Sequence, residues 1–393
     1  MMRLFLNPNR RLKILMISYE FPPVVSGGIG KLTYDKYQAY KESGHDIVLI
    51  APVSHNRKKG QLYIPAKGNI LKFFLTFFYS FFSVMIRKPD IIYALSGTYV
   101  GFVSFIISKI FSIPYVVLAH GNEFIRFYNK SDIRKVLNII YNNSLIVLAV
   151  SSFTKKLLID FGVDKNKIEV VNNYIDSDNW IVPAANQIVE VREKYDLKPQ
   201  DFVLITVSRL DKRKGHDKII KALALMILNF PEFRGRIKYI IVGNGKEYDR
   251  LKNMVCECNL NDSVLFFGYV PYRDLSLLYA ISDLFVMPSS FLRNDGSVEG
   301  FGLSYIEAAI YGLPSVAGIE SGAIDIIDDD KTGFLVNPDD IYKIQEVLLY
   351  CVKNKERVKD MGVAARNSVL SRFSKDKLYP RELSLILRWL DNM

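Results

Sequence analysis

Short apolar runs alternate along the chain with longer stretches in which apolar residues recur every three or four positions. Runs at 12–18, 46–51, 91–95, 115–119 and 145–150 have strand length and are rich in Ile, Val and Leu. A second series follows at 202–208, 239–242, 264–267, 284–287 and 314–317. Strands that are apolar almost throughout, separated by helical patterns, predict parallel sheets covered on both faces. Between the two series, residues 176–200 mix Asn, Pro and charge without strand character. The pattern predicts an α/β protein with two doubly wound domains, 1–180 and 201–372, joined by a linker over 181–200. A last helical stretch, 373–393, has the option of returning to the first domain. In such sheets ligands bind beyond the carboxyl ends of the strands, so the loops that follow strands are where chemistry is sought.

At 393 residues the chain suits two cores, and 49% hydrophobic residues supply both. Charge is uneven. Residues 1–190 carry 23 Lys and Arg against 13 Asp and Glu, a net of +10, while the whole chain nets +11. A basic first half faces something anionic: nucleic acid, a membrane surface or a phosphorylated substrate. Cys256, Cys258 and Cys351 are too few for a disulfide framework, and the Cys-x-Cys pair has no neighbouring Cys or His to complete a zinc site. Reduced thiols and a cytoplasmic location are expected. The apolar run at 12–18 is cut off by Glu20 and Pro22-Pro23, so it reads as a strand and not a secretory signal. Residues 73–86, FFLTFFYSFFSVMI, are uncharged for 14 positions between Lys72 and Arg87-Lys88. That is short for a membrane span. It leaves either a core helix or a helix that docks on a membrane surface.

Four loops carry candidate chemistry. Glu299-Gly300-Phe301-Gly302-Leu303 crosses two glycines into a helix that holds Glu307. Helix N-termini expose N–H groups and a positive dipole end, which suit phosphate or sugar hydroxyls. The two acids then reach different parts of one elongated ligand. Ser208-Arg209-Leu210-Asp211-Lys212-Arg213-Lys214-Gly215-His216-Asp217 also follows a strand and opens a helix. Arg209 and Lys214 are placed to converge on a diphosphate, while Lys212 and Arg213 read as a solvated basic turn. Ser26-Gly27-Gly28-Ile29-Gly30-Lys31-Leu32-Thr33 fails as a nucleotide-hydrolysing phosphate loop, because Leu32 follows Gly30-Lys31 where Ser or Thr is required. Its backbone remains able to cradle phosphate. Finally, His120 in Ala119-His120-Gly121-Asn122-Glu123 sits at the end of a strand.

Together these motifs resemble the retaining glycosyltransferases of family 4, which have the GT-B fold of two Rossmann-like domains facing a central cleft. The resemblance covers nearly the whole chain. It rests on Glu-x7-Glu from Glu299 to Glu307, continuing through Gly312-Leu313-Pro314 and Gly333-Phe334-Leu335-Val336. The spacing of Ser208-Arg209-Leu210 to Lys214-Gly215-His216-Asp217, the pair Gly27-Gly28, and Ile241-Val242-Gly243-Asn244-Gly245 complete it. Departures occur at Asn172-Asn173-Tyr174, at Asp325 and at Lys375, where the family usually has Pro-Asn-Gly, Glu and an aromatic residue.

The resemblance implies an acceptor-binding first domain and a second domain that binds the nucleotide sugar. Arg209 and Lys214 are similar to the pair that neutralises the donor diphosphate. Glu299, with the N–H groups of Phe301, Gly302 and Leu303, resembles the group that binds the transferred sugar. Glu307 resembles the acid that holds the ribose, and His120 the residue that contacts the sugar from the first domain. Gly28 and Gly243 are carried over as donor-site positions. The implied activity moves a hexose-type sugar from a UDP- or GDP-sugar to a lipid-linked or glycan acceptor of bacterial-type polysaccharide or glycoconjugate synthesis. It keeps the anomeric configuration and uses no metal and no cofactor beyond the donor substrate. A lipid-linked acceptor would place the protein on the inner membrane face, with Arg57, Lys58, Lys59, Phe77 and Phe78 on an anionic surface. A nucleic-acid partner is not expected, since no reading module is present. A sugar-nucleotide epimerase, or a transferase for a small soluble acceptor, is the nearer rival.

Overall fold

The computed structural model describes residues 10–22, 28–52, 60–64, 69–176, 181 and 183–393. In chain order the first part runs β1 (Lys13–Ile17), α1 (Gly28–Glu42), β2 (Asp46–Ala51), β3 (Gln61–Tyr63), α2 (Asn69–Arg87), β4 (Ile91–Ala94), α3 (Tyr99–Phe111), β5 (Tyr115–Ala119), α4 (Asn122–Ile125), α5 (Ser131–Asn143), β6 (Ile146–Ala149), α6 (Ser152–Phe161) and β7 (Ile168–Val170). Then come α7 (Ala185–Lys194), β8 (Phe202–Val207), α8 (His216–Asn229), β9 (Ile237–Val242), α9 (Tyr248–Glu257), β10 (Val264–Gly268), α10 (Tyr272–Ala280), β11 (Leu284–Met287), α11 (Leu303–Ile310), β12 (Ser315–Gly318), β13 (Gly333–Val336), α12 (Ile341–Lys353) and α13 (Lys355–Arg372). The last element is α14 (Lys375–Asp391).

Two compact units result, Met1–Asp176 with Phe373–Met393, and Ser177–Arg372. In the first, the described strands form a parallel sheet in the order β3-β2-β1-β4-β5-β6-β7. In the second they form a parallel sheet in the order β10-β9-β8-β11-β12-β13. Every residue of β4, β5, β6, β11 and β12 is buried, which is why these strands are apolar without alternation. Strand order reverses between β1 and β4 and between β8 and β11, and each reversal opens a crevice at the carboxyl ends.

The tail helix α14 belongs to the first unit. Ile175 bridges Ser374 in parallel, and Lys36 of α1 forms an ion pair with Glu382 in which both side chains are fully buried. Tyr40 and Tyr93 donate to the other oxygen of Glu382 at 3.0 and 2.7 Å. A buried charge pair is tolerable only with its lone pairs satisfied in this way, and breaking one partner is costly.

Two expectations are corrected. The predicted linker, 181–200, contains the helix α7. Its start is fixed by Gln187, whose side chain accepts from Ala184 N at 3.0 Å. Arg192 then reaches Ile281 O at 2.9 Å, and the Tyr195 ring packs 4.6 Å from Phe267. The second concerns α2, where the alternative of a core helix fails, since only one of its faces is buried. Its buried face carries Thr76, Ser80, Ser83 and Val84. Thr76 and Ser80 return their hydroxyls to the carbonyls of Lys72 and Thr76 at 2.7 Å, so they enter the interior already satisfied. The outer face presents Leu71, Phe74, Phe78, Phe82 and Met85, with the three Phe side chains 51, 49 and 54% exposed.

Candidate active site

At the switch point of the second sheet, β8 runs into Ser208 and a tight turn over Lys212–Lys214. Gly215 ends that turn at φ 77°, and a Cβ there would lie 2.5 Å from Pro288 O. Only glycine lets the turn press against the end of β11. Lys214 is thereby driven inward, with Nζ 2.5 Å from Glu299 Oε2 and 3.7 Å from Sδ of Met287. Residues 85 positions apart in sequence thus form a buried ion pair. Burial opposes the Glu299 carboxylate, but Lys214 and Arg213 outweigh it and hold its pKa below the ordinary value. Burial lowers the Lys214 pKa, against the pull of Glu299.

Arg213 is not solvated as expected. Its side chain is buried, with Nη1 3.1 Å from Asp211 Oδ2 and Nη2 3.7 Å from Glu299 Oε2. Lys212 is exposed. Asp211 also holds Arg209, whose Nε lies at 2.5 Å and whose side chain stays 67% exposed. Arg209 therefore stands at the rim of the cluster, paired with Asp211, while Lys214 and Arg213 share Glu299.

Gly302 opens α11 at φ 94°, where a Cβ would come within 2.4 Å of the Tyr305 ring. Tyr305 donates to Met287 O at 2.5 Å, which pins the start of α11 to the end of β11. The side chain of Phe301 is buried and Leu303 is half-buried. Glu307 lies in the second turn, half-buried, and accepts from Tyr279 OH at 3.3 Å. The Tyr279 ring stacks on Tyr311 at 5.3 Å. The two glutamates are thus held by different partners, one by cations and one by a tyrosine. Gly243 adopts φ 126°, and a Cβ there would be 2.0 Å from Ser208 O. Its glycine is required by the close approach of the Ser208-Arg209 loop.

His216, for which the sequence predicted no role, supports that loop. It is buried, with Nε2 3.1 Å from Ser208 Oγ and Nδ1 3.1 Å from Tyr239 OH. Burial and Lys214 bring its pKa down to about 3, so the ring is neutral. Its signal was its place at the start of a helix directly after Lys214-Gly215.

In the first unit, His120 follows β5 and is buried. Its Nε2 lies 3.0 Å from Leu95 O, and burial lowers its pKa to about 4. A carbonyl only accepts, so the proton is on Nε2 and Nδ1 is an acceptor. The carboxyl of Glu123 accepts from His120 N at 2.6 Å and is raised by burial to about 7. Gly28 is the exposed first residue of α1, and in the same turn Gly30 N donates to Glu20 Oε2 at 3.1 Å. Arg57, Lys58 and Lys59 lie outside the described residues. Phe78 is on the outer face of α2, whereas Phe77 is half-buried, its ring tilted against that of Phe81 at 6.2 Å. Among the described residues no three His, Cys, Asp or Glu side chains are grouped to hold a metal ion.

Comparison with known proteins places this geometry. Residues 26–179 match the family model "Glycosyltransferase Family 4", and residues 187–368 match "Glycosyl transferases group 1". A GDP-mannose-dependent alpha-(1-6)-phosphatidylinositol monomannoside mannosyltransferase of Mycolicibacterium smegmatis is 30% identical over 258 residues, 65% of each chain. The protein of the same name from Mycobacterium tuberculosis is 29% identical over 249 residues, 62% of each chain. The chain therefore spans less than two thirds of the length of these relatives. The crystal structure of Anabaena HepE in complex with UDP-glucose superposes with a TM-score of 0.78 at 20% identity, over 96% of this chain and 100% of that one. With one glycosyltransferase family model over residues 26–179 and another over 187–368, and two parallel-sheet units, the chain belongs to the GT-B glycosyltransferases, with a family 4 amino-terminal part and a group 1 carboxy-terminal part.

Proposed function

We propose that the protein is a retaining, metal-independent hexosyltransferase that takes a sugar from a UDP- or GDP-sugar and passes it to a lipid-linked or glycan acceptor. The observation that carries this reading is the buried Lys214–Glu299 pair at the switch point of the second sheet, beside the amino end of α11. A preorganised cation in a buried site is suited to charge that grows on a leaving diphosphate as the sugar acquires oxocarbenium character. Arg209, exposed at the rim and paired with Asp211, supplies a second charge. Glu299 and the N–H groups of Phe301, Gly302 and Leu303 then bind the sugar, and Glu307 binds the ribose. His120 takes part through Nδ1, an acceptor for a sugar hydroxyl. The relatives' dependence on GDP-mannose and the UDP-glucose bound in HepE support a nucleotide-sugar donor without choosing between the bases. Screening UDP- and GDP-sugars with isolated lipid-linked acceptors tests the reading. Transfer is expected to persist in excess EDTA with the anomeric configuration kept, as read by NMR. Loss of activity that magnesium or manganese restores would overturn the metal-free reading.

The same reading includes docking of α2 on the cytoplasmic face of an anionic membrane. Nineteen residues make a helix about 28 Å long, close to the thickness of a hydrocarbon core. Yet one face is committed to its own unit through Thr76, Ser80, Ser83 and Val84, so α2 is suited to lie in the interface and not to cross. The outer Phe74, Phe78 and Phe82 supply apolar area, and the exposed Arg87, Lys88 and Lys109 supply charge worth about 1 kcal/mol each near anionic lipid. Arg57, Lys58 and Lys59 would add to it. Vesicle flotation should show binding that requires anionic lipid and weakens with salt. It should fall at least 10-fold when Phe74, Phe78 and Phe82 become Ser, or when Arg57, Lys58 and Lys59 do. Wild-type protein that stays unbound at low salt would point instead to a soluble acceptor.

A further inference from the structure

Two cations converge on one oxygen of Glu299, and only one of them is fully engaged. Lys214 Nζ is 2.5 Å from Oε2, whereas Arg213 Nη2 is 3.7 Å from the same atom. All three side chains are about nine-tenths buried, at 10, 10 and 11% exposure. Arg213 is tethered at one end, through Nη1 to Asp211 at 3.1 Å, and its Nε is buried without a hydrogen-bond partner. The guanidinium therefore has donors to spare on the side that faces Glu299.

This arrangement resolves a difficulty in the donor site. If Lys214 swings toward the diphosphate, its hold on Glu299 loosens as the phosphate arrives. A carboxylate left buried and unpaired is strongly disfavoured, so it must gain another cation or a proton. Arg213 needs to close by only about 1 Å to make a charge-assisted hydrogen bond. The other groups around the Lys214–Glu299 pair cannot substitute. Arg209 is held outward by Asp211, His216 is neutral, and Tyr305 is engaged with Met287 O.

We propose that Arg213 is a positioning residue that takes over Glu299 when Lys214 turns to the donor diphosphate, so that the carboxylate stays ionised and in place while the nucleotide sugar binds. The inference rests on the reading of Lys214 given above. It has a consequence that a merely structural arginine would not have: nucleotide binding leaves the proton balance of the site unchanged only while Arg213 is present.

Calorimetric titration of UDP and GDP, run at pH 7 in two buffers of different ionisation enthalpy, reads both affinity and proton exchange. The nucleotide's own titration cancels when variants are compared with wild type. Arg213→Gln is expected to bind on the order of 10²-fold more weakly and to take up roughly one additional proton per nucleotide, as Glu299 neutralises. Arg213→Lys should restore much of both. Unchanged affinity and proton balance in Arg213→Gln would overturn the inference while leaving the Lys214 reading intact. If Lys214→Ala binds the nucleotide as tightly as wild type, or wild type binds neither nucleotide, the donor reading itself fails. Should Arg213→Gln not fold, Glu299→Gln with Arg213→Gln leaves no unpaired acid and carries the test. That double variant should match Glu299→Gln alone in affinity and proton balance, and a further loss would sink the idea.

Discussion

Beyond β8 and β11 the second unit gathers Arg209, Arg213 and Lys214 around Asp211 and Glu299, all as ion pairs. Beyond β4 and β5 the first unit gathers a neutral His120, a Glu123 whose pKa burial raises to about 7, the half-buried Tyr99 and the buried Tyr141. The two sheets share a winding pattern, yet one switch point is built of charge and the other of neutral polar groups. The difference lies in the turns. Gly215 tips a basic turn inward, where burial forces each cation to find an acid. The Ala119-His120-Gly121 turn brings in a base that is easily discharged and an acid that can keep its proton. An ionic pocket suits a diphosphate, and a neutral one suits hydroxyl groups.

The sharpest way to break this contrast is to remove one group from each side. Lys214→Ala should lower turnover with a confirmed donor by on the order of 10²- to 10³-fold, the scale of losing a preorganised charge-stabilising donor. His120→Ala, which removes one neutral hydrogen bond, should cost roughly 10-fold. Equal losses in the two steady-state assays would erase the distinction between an ionic and a neutral pocket.

A smaller effect separates the two glutamates. Glu307→Ala should weaken nucleotide binding by roughly 10-fold and leave turnover at saturating donor nearly intact, as expected of a hydrogen bond made equally before and during reaction. A loss confined to turnover would place Glu307 with the reacting atoms instead.

A last effect is on stability against pH. His216 has a folded pKa of about 3, below its unfolded value near 6.5, so its neutral burial costs stability as pH falls below 6.5. At pH 5 that amounts to about 2 kcal/mol, and His216→Gln should remove it. His120 behaves alike, but Glu123 runs the other way. Its folded pKa of about 7 lies above the unfolded value, so its contribution is complete below about pH 4.5 and is lost as pH rises through 7. The two nearly cancel between 4.5 and 6.5. Glu123→Gln should therefore make the first unit more acid-sensitive by about 2 kcal/mol between pH 7.5 and 5. Hydrogen exchange resolved by unit checks both, and equal acid sensitivity before and after Glu123→Gln would show that the offset is absent.

Much of the architecture was legible in the chain. The apolar runs at 91–95, 115–119 and 284–287 became the buried central strands β4, β5 and β11, because a strand covered on both faces has no polar side to disguise it. Of the four edge strands only β10 was legible, as the run at 264–267. β3, β7 and β13 are three or four residues long and include Gln61, Glu169 and Gly333, too short and mixed to show a period. Helix α7 was hidden by the polar composition of its segment, and its start depends on one side-chain bond from Gln187. The site was partly visible: the glycines beside Glu299 and Lys214 marked two turns, but no spacing rule joins residues 85 positions apart.

By itself, then, the sequence determined the parallel α/β character, the glycine-governed turns and the basic first half. These follow from local propensity, periodicity and composition, which need no long-range partner. Only the tertiary structure decided which charges meet. It turned Arg213 inward beside Lys214 and left Arg209 at the rim, although both arginines lie in one ten-residue stretch. It also put Thr76 and Ser80 inside and Phe78 outside on α2, against the ordinary rule. The physical reason is common to both. A side chain's burial is set by what the rest of the chain places against it, and a buried charge or hydroxyl is stable wherever a partner from elsewhere, or a carbonyl one turn back, satisfies it.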